Sequence, residues 1–130
     1  DYLATVVAQA KKVGYTETLL GRRRYLPDLQ NDNKFKREIA ERAALNAPIQ
    51  GTAADMIKVA MIRIHKKLGE MKGLRTKMIL QVHDELVFDL HKDEVDIVKP
   101  KVAELMKHAI DLEVPMEVEV GVGVNWLEAH

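Results

Sequence analysis

A chain of 130 residues, 47% hydrophobic and 31% charged, has the length of one domain and enough apolar content for a core. It has no cysteine, which excludes disulfides and thiolate metal sites; no apolar run approaches the roughly 18 residues of a membrane span, and both features fit a cytoplasmic protein without a membrane partner. Its zero net charge is split, with 15 Lys and Arg against 8 Asp and Glu in residues 1–75 and 5 against 12 in residues 76–130, which suits gripping a polyanion with one half and binding cations with the other.

Leu3, Val6, Val7 and Ala10 recur at helical spacing between Tyr2 and Val13, with Gly14 as the stop and Lys11 and Lys12 complementing the helix dipole. Residues 15–19 and 23–26 form short predicted strands about a tight turn at Leu20-Gly21-Arg22. A loop at Asn31-Asp32-Asn33 opens a helix from Lys34 to Leu45, with Phe35, Ile39 and Ala43 expected inward. Pro48 is expected to interrupt that helix, because it disfavours the α conformation at Ala47. Thr52-Ala-Ala-Asp55 then resembles a capping box opening a second helix to Met71, with a stripe at Ala53, Ile57, Ala60, Met61, Ile64, Leu68 and Met71.

Alternation through Met78, Leu80 and Val82 restarts at Leu86, Phe88 and Leu90, so the chain is expected to form a hairpin with Asp84 and Glu85 at its tip. Asn-Gly or Asp-Gly suits such turns better. Two adjacent acids following His83 are more economically explained by a bound cation than by the turn, with an ordinary solvated polar turn as the alternative on these residues alone. A third helix is expected from Lys92 to Ile110, its inner face formed by Val95, Val98, Val102, Leu105, Met106 and Ala109, with Pro100 starting or kinking it. The last predicted strand has Met116, Val118, Val120, Val122 and Val124 on one side and Glu117, Glu119, Gly121 and Gly123 on the other. This order defines an α+β fold, a small antiparallel sheet with its hairpin packed against several helices.

Two polar groupings accompany these elements. Arg42, Asn46 and Gln50 are spaced by four, so their side chains follow one line on and just after a helix. Arg22, Arg23 and Arg24 join Lys11, Lys12, Lys34, Lys36 and Arg37 in a basic collection suited to phosphate contact. Tyr15 and Tyr25 are expected to pack within the first hairpin, and Trp126 to anchor the C-terminal segment by burial.

Three stretches together resemble the DNA polymerase I type, family A. They are Gly14-Tyr-Thr-Glu-Thr-Leu-Leu-Gly-Arg-Arg-Arg-Tyr-Leu-Pro-Asp28, the run from Arg37 to Asp55 containing Arg42-Ala-Ala-Leu-Asn-Ala-Pro-Ile-Gln-Gly-Thr-Ala-Ala-Asp55, and Gln81-Val-His-Asp-Glu-Leu-Val-Phe-Asp89. The ending Val120-Gly-Val-Gly-Val-Asn-Trp-Leu-Glu-Ala-His130 is similar to that family's C-terminus. The resemblance covers essentially the whole chain, read as the C-terminal part of a polymerase domain. It implies that residues 1–75 are mainly helical and DNA-contacting, and that residues 76–130 form a partial palm sheet with motif C.

By that resemblance Asp84 is the motif C aspartate, a ligand for one of two Mg²⁺ ions, with Glu85 and His83 beside it at the reacting end of the primer. Arg42, Asn46 and Gln50 match residues that touch the minor groove and backbone of the primer–template end. Minor-groove acceptors recur in every Watson–Crick pair, so such donors sense pair shape while ignoring sequence. The implied partners are primer–template DNA, a deoxynucleoside triphosphate and the parts of the polymerase preceding this segment, in a cytoplasmic, nucleoid-associated setting. The upstream palm carboxylate and the nucleotide-binding fingers helix are absent from these 130 residues, so the isolated chain is expected to be inactive and, with surfaces built for neighbours, to form a homodimer. A non-catalytic DNA-binding module is the alternative. A small metal-dependent hydrolase built on His83, Asp84 and Glu85 is disfavoured because one compact triad offers too few ligands.

Overall fold

The computed structural model describes residues 1–109 and 117–130, which divide into two compact units, Asp1–Asp55 and Met56–His130. In the first unit, helix α1 (Tyr2–Val13) begins where the Asp1 carboxylate accepts the Leu3 amide (3.2 Å). It ends at Gly14, whose φ of +84° is the left-handed stop that a glycine adopts without a Cβ penalty. Antiparallel strands β1 (Tyr15–Glu17) and β2 (Arg23–Tyr25) follow, with Tyr15 opposite Tyr25, Thr16 opposite Arg24 and Glu17 opposite Arg23. Asn33 then caps helix α2 (Lys34–Glu70), accepting the amides of Phe35 (3.0 Å) and Lys36 (3.3 Å).

The core of this unit is Ala10, Leu26, Leu29, Ala40 and Ala44, with alanines at the helix positions and leucines after the first hairpin. Phe35 and Ile39 are 68% and 48% exposed, contrary to the inward placement expected of them, because the buried face of α2 follows Ala40, Ala44 and Ala47. Lys11 bonds Glu41 across the unit (2.7 Å) and holds that carboxyl below its ordinary pKa. Pro48 does not interrupt the helix: α2 is continuous for 37 residues. Proline removes one hydrogen bond, to the Ala44 carbonyl, at roughly 3 kcal/mol. Tertiary contacts hold the turns on either side, Ala44 and Ala47 by burial and Thr52 and Asp55 by side-chain hydrogen bonds. Thr52 and Asp55 therefore lie mid-helix and form no capping box, and Ala53, expected in the apolar stripe, is exposed.

In the second unit Ala60 and Ile64 of α2 pack against Val98 and Val102 of α3 (Val95–Lys107) and against Ala109. Pro100 lies inside α3. Strands β3 (Lys77–Val82) and β4 (Glu85–Asp89) form the second two-stranded sheet and contribute Met78, Leu86 and Phe88 to this cluster. An irregularity between Met78 and Leu80 breaks the expected alternation, leaving Ile79 and Leu80 61% and 45% exposed.

A buried carboxylate braces the entry to β3. Glu94 accepts the amides of Arg75 (2.9 Å) and Thr76 (2.8 Å) and the Thr76 hydroxyl (2.7 Å). Burial pushes the Glu94 carboxyl up, but these hydrogen bonds outweigh it and hold the group below its ordinary pKa.

The expected last strand begins at Met116, outside the described residues. Its described part, residues 117–124, forms no strand, and Val120, Val122 and Val124 are exposed. Alternation describes a strand only where a neighbour supplies ladder hydrogen bonds, and among the described residues β3 and β4 pair only with each other. Gly121 and Gly123 instead lie against the backbone of Glu128 and Ala129, next to the short helix α4 (Trp126–Ala129). Trp126 is 45% exposed, so it does not anchor the end of the chain by burial as expected; it lies 6.1 Å, ring to ring, from His130. Among the described residues no helix is long and apolar enough to cross a membrane.

Candidate nucleic-acid interface and carboxylate hairpin

Strand geometry sorts the three consecutive arginines. Side chains alternate across a strand, so Arg23 and Tyr25 share one face of the β1–β2 hairpin and Arg24 takes the other. On the first face Arg23 bonds Glu17 (2.9 Å) and lies 4.3 Å over the Tyr15 ring, which packs at 5.4 Å against Tyr25. Tyr25 and Glu17 hold the Arg23 guanidinium above its ordinary pKa. The two tyrosines pack within the hairpin, as expected of them.

Arg22 lies in the connecting loop and turns toward α2. Its Nε donates to Asp55 Oδ1 (2.8 Å) and its Nη2 to the Gly51 carbonyl (3.3 Å). The Thr18 hydroxyl donates to Asp55 Oδ2 (2.5 Å), and the Leu19 amide donates to the Thr52 hydroxyl (2.9 Å). Asp55 is only 6% exposed. Gly51 makes the approach feasible, since a Cβ there would fall 2.6 Å from Thr18 Cγ2. Thr16, Arg24, Ala47, Gln50 and Gly51 are among the residues lining the resulting cleft of about 210 Å³. Arg24 makes no ion pair among the described residues. Arg42, Asn46 and Gln50 are all exposed on the continuous α2, one turn apart.

In the second unit the hairpin tip is His83-Asp84, because Val82 pairs with Glu85. Glu85 therefore opens β4, a correction to its expected place at the tip. His83 has φ +52°, a left-handed position that hairpin turns usually give to glycine or asparagine. Asp84 is exposed. The half-buried Glu85 carboxylate meets His130 Nε2 at 2.7 Å, linking the end of the chain to the hairpin.

The structure thus gathers Arg22, Arg23, Arg24 and Gln50 around one cleft and lines Arg42, Asn46 and Gln50 along one helix. It keeps His83, Asp84 and Glu85 consecutive on a separate hairpin in the other unit. No group of three His, Asp or Glu among the described residues could hold a metal by itself. The sequence marks Gly51 as a small residue permitting close approach, and the structure places Thr18 and Arg22 against it. Sequence reasoning missed Thr18, and the roles of Thr52 and Asp55, in seating the first hairpin, and Thr76, Glu94 and His130 around the second.

The chain thus carries a basic cleft against a helix in one unit and an exposed carboxylate hairpin in the other. The model of DNA polymerase family A matches residues 1–128, and the chain belongs to that family. It is 57% identical over 126 residues to DNA polymerase I of Mycobacterium leprae, covering 97% of this chain and 14% of that protein. It is 48% identical over 128 residues to the thermostable DNA polymerase I of Thermus filiformis, 98% of this chain and 15% of the relative. Among solved structures, the POL domain of Pol1 from M. smegmatis, in complex with DNA primer-template and dNTP, superposes with a TM-score of 0.95 at 55% identity over 99% of this chain and 23% of that one. The chain therefore spans about one-seventh of the length of these curated relatives.

Proposed function

We propose that this chain is the C-terminal portion of a DNA polymerase of the polymerase I type and takes part in template-directed synthesis, transferring a nucleotide from a deoxynucleoside triphosphate to a primer 3′-hydroxyl. The observation that carries the reading is the likeness over 99% of the chain to a POL domain holding primer-template and dNTP. In this reading residues 1–75 contact DNA and residues 76–130 form part of the palm. Arg42, Asn46 and Gln50, exposed along α2, offer donors to the minor-groove edge and backbone of the primer end.

The donor set at the second hairpin fits Mg²⁺ in part. Asp84 is an exposed hard-oxygen ligand, and Mg²⁺ characteristically takes one or two protein carboxylates and completes its shell with water and substrate phosphate. Two such ions would supply charge neutralisation on the attacking and leaving oxygens, with a further carboxylate coming from outside these residues. Asp84 holds the metal side of the site, His83 stands beside it toward the primer terminus, and Glu85 is steadied by His130. A cytoplasmic setting follows from the same reading.

The test is primer extension. In the intact polymerase carrying this segment, Asp84→Asn should cut extension by far more than tenfold, the equivalent of about 1.4 kcal/mol, while primer–template binding stays near wild type. Extension within tenfold would remove Asp84 from the metal site. The isolated 130-residue chain should give no extension with Mg²⁺ and four deoxynucleotides; robust extension would refute its dependence on preceding parts. If the intact protein binds DNA but never extends a primer, the non-catalytic module is the correct reading.

A further inference from the structure

We propose that Asp55 is a positioning residue for primer–template binding, acting through Arg22 and Thr18 to seat the β1–β2 hairpin on α2, so that Arg24 alone of the three arginines meets a DNA phosphate beside Gln50. The inference rests on the polymerase reading above and adds a division of labour within the basic cluster. Arg22 is committed internally: Nε to Asp55 at 2.8 Å, Nη2 to the Gly51 carbonyl at 3.3 Å, and backbone amide to the Thr18 hydroxyl at 3.1 Å. Arg23 is committed to Glu17 and the Tyr15 ring on the opposite face. All three arginines line the cleft with Gln50, but Arg24, which shares its face with buried Thr16, makes no ion pair among the described residues.

A carboxylate 6% exposed in the middle of a helix carries a desolvation cost that its hydrogen bonds must offset. Here the Thr18 and Arg22 bonds come from the loop between β1 and β2, so they act where the hairpin meets the helix. The same junction requires Gly51, whose Cβ would strike Thr18. Two chemically unrelated features, an ion pair and a missing side chain, thus serve one placement.

The experiment measures primer–template affinity of the intact polymerase as a function of salt. A phosphate contact contributes about 0.9 to the slope of log K against log salt on duplex DNA. Arg24→Ala should lower that slope by about one contact and weaken binding several-fold. Asp55→Asn and Arg22→Ala should each weaken binding alone, yet change neither affinity nor slope further in an Arg24→Ala background, because their effect passes through Arg24. Gly51→Ala, which leaves every charge in place, should behave like Asp55→Asn and covers the case in which the charge variant fails to fold.

If Arg22 itself contacts DNA, Arg22→Ala will lower the slope again in the Arg24→Ala background, and Asp55→Asn will tighten binding by releasing it. Either result overturns the proposal. A wild-type protein that neither binds nor extends a primer would instead sink the polymerase reading, a separable outcome.

Discussion

Ile64 offers a direct test of how the hairpin bearing Asp84 is supported. It is wholly buried, packed with Ala60, Val98, Val102 and Ala109, in the cluster that Met78, Leu86 and Phe88 join from β3 and β4. Ile64→Ala removes three carbons, a transfer loss of about 2.4 kcal/mol at roughly 0.8 kcal/mol per group. The cavity left behind adds to this, giving a total of about 2–5 kcal/mol. Ile62, two residues away on the same helix, is 69% exposed. Ile62→Ala should change stability by no more than about 0.5 kcal/mol. Urea unfolding of the 130-residue chain reads the difference: with a slope of about 1–3 kcal/mol per molar, the Ile64 variant should lose roughly 1 M or more in midpoint. Amide protons of β3 and β4 should lose protection in parallel. Equal midpoints for the two variants would refute the packing reasoning, since burial alone distinguishes the positions.

Glu94, whose folded pKa is depressed, contributes stability that is present above its unfolded value near about 4.3 and is lost as pH falls through the folded value. Glu94→Gln should therefore destabilise at neutral pH and flatten the acid limb of a stability–pH curve; an unchanged limb would contradict the bracing role. The isolated chain should self-associate at tens of micromolar, because Phe35, Ile39, Ile49, Ile62, Ile79 and Leu80 are exposed. Sedimentation showing a monomer that binds no apolar dye would contradict this.

Local signals read well where one residue does one job. Gly14 stops α1, Asn33 opens α2, and the tyrosines close the first hairpin, each as local chemistry dictates. Reading failed where tertiary contacts outweighed local preference. Pro48 predicts a break, but contacts from both neighbouring turns carry the helix through it. Thr52 and Asp55 have the spacing of a cap because the same i, i+3 geometry also presents two side chains to one external loop. Phe35 and Ile39 looked like core because hydrophobicity marks surfaces that bury something, without saying whether the partner lies in the same 130 residues. For the candidate site, the sequence names residue types but not their pairings. Nothing local distinguishes Arg22, Arg23 and Arg24 until strand pairing assigns their faces.

His83 separates backbone convenience from chemistry at the Asp84 hairpin. It occupies a two-residue turn between paired Val82 and Glu85 with φ +52°, where a side chain costs on the order of 1 kcal/mol and glycine costs nothing sterically. A position chosen for turn stability alone would favour glycine or asparagine. In the polymerase reading proposed above, the imidazole beside the exposed Asp84 carboxylate acts toward the primer terminus. His83→Gly should therefore leave the unfolding midpoint of the chain unchanged or slightly raised, the relief of strain offsetting the added freedom of the unfolded state. In the intact polymerase the same variant should lose at least about tenfold in primer extension, or about 1.4 kcal/mol of transition-state stabilisation. His83→Asn, which tolerates the same backbone but lacks the ring, should lose activity in the same way. If both variants extend primers at the wild-type rate, the histidine is a turn residue, and the chemistry at this hairpin belongs to the carboxylates.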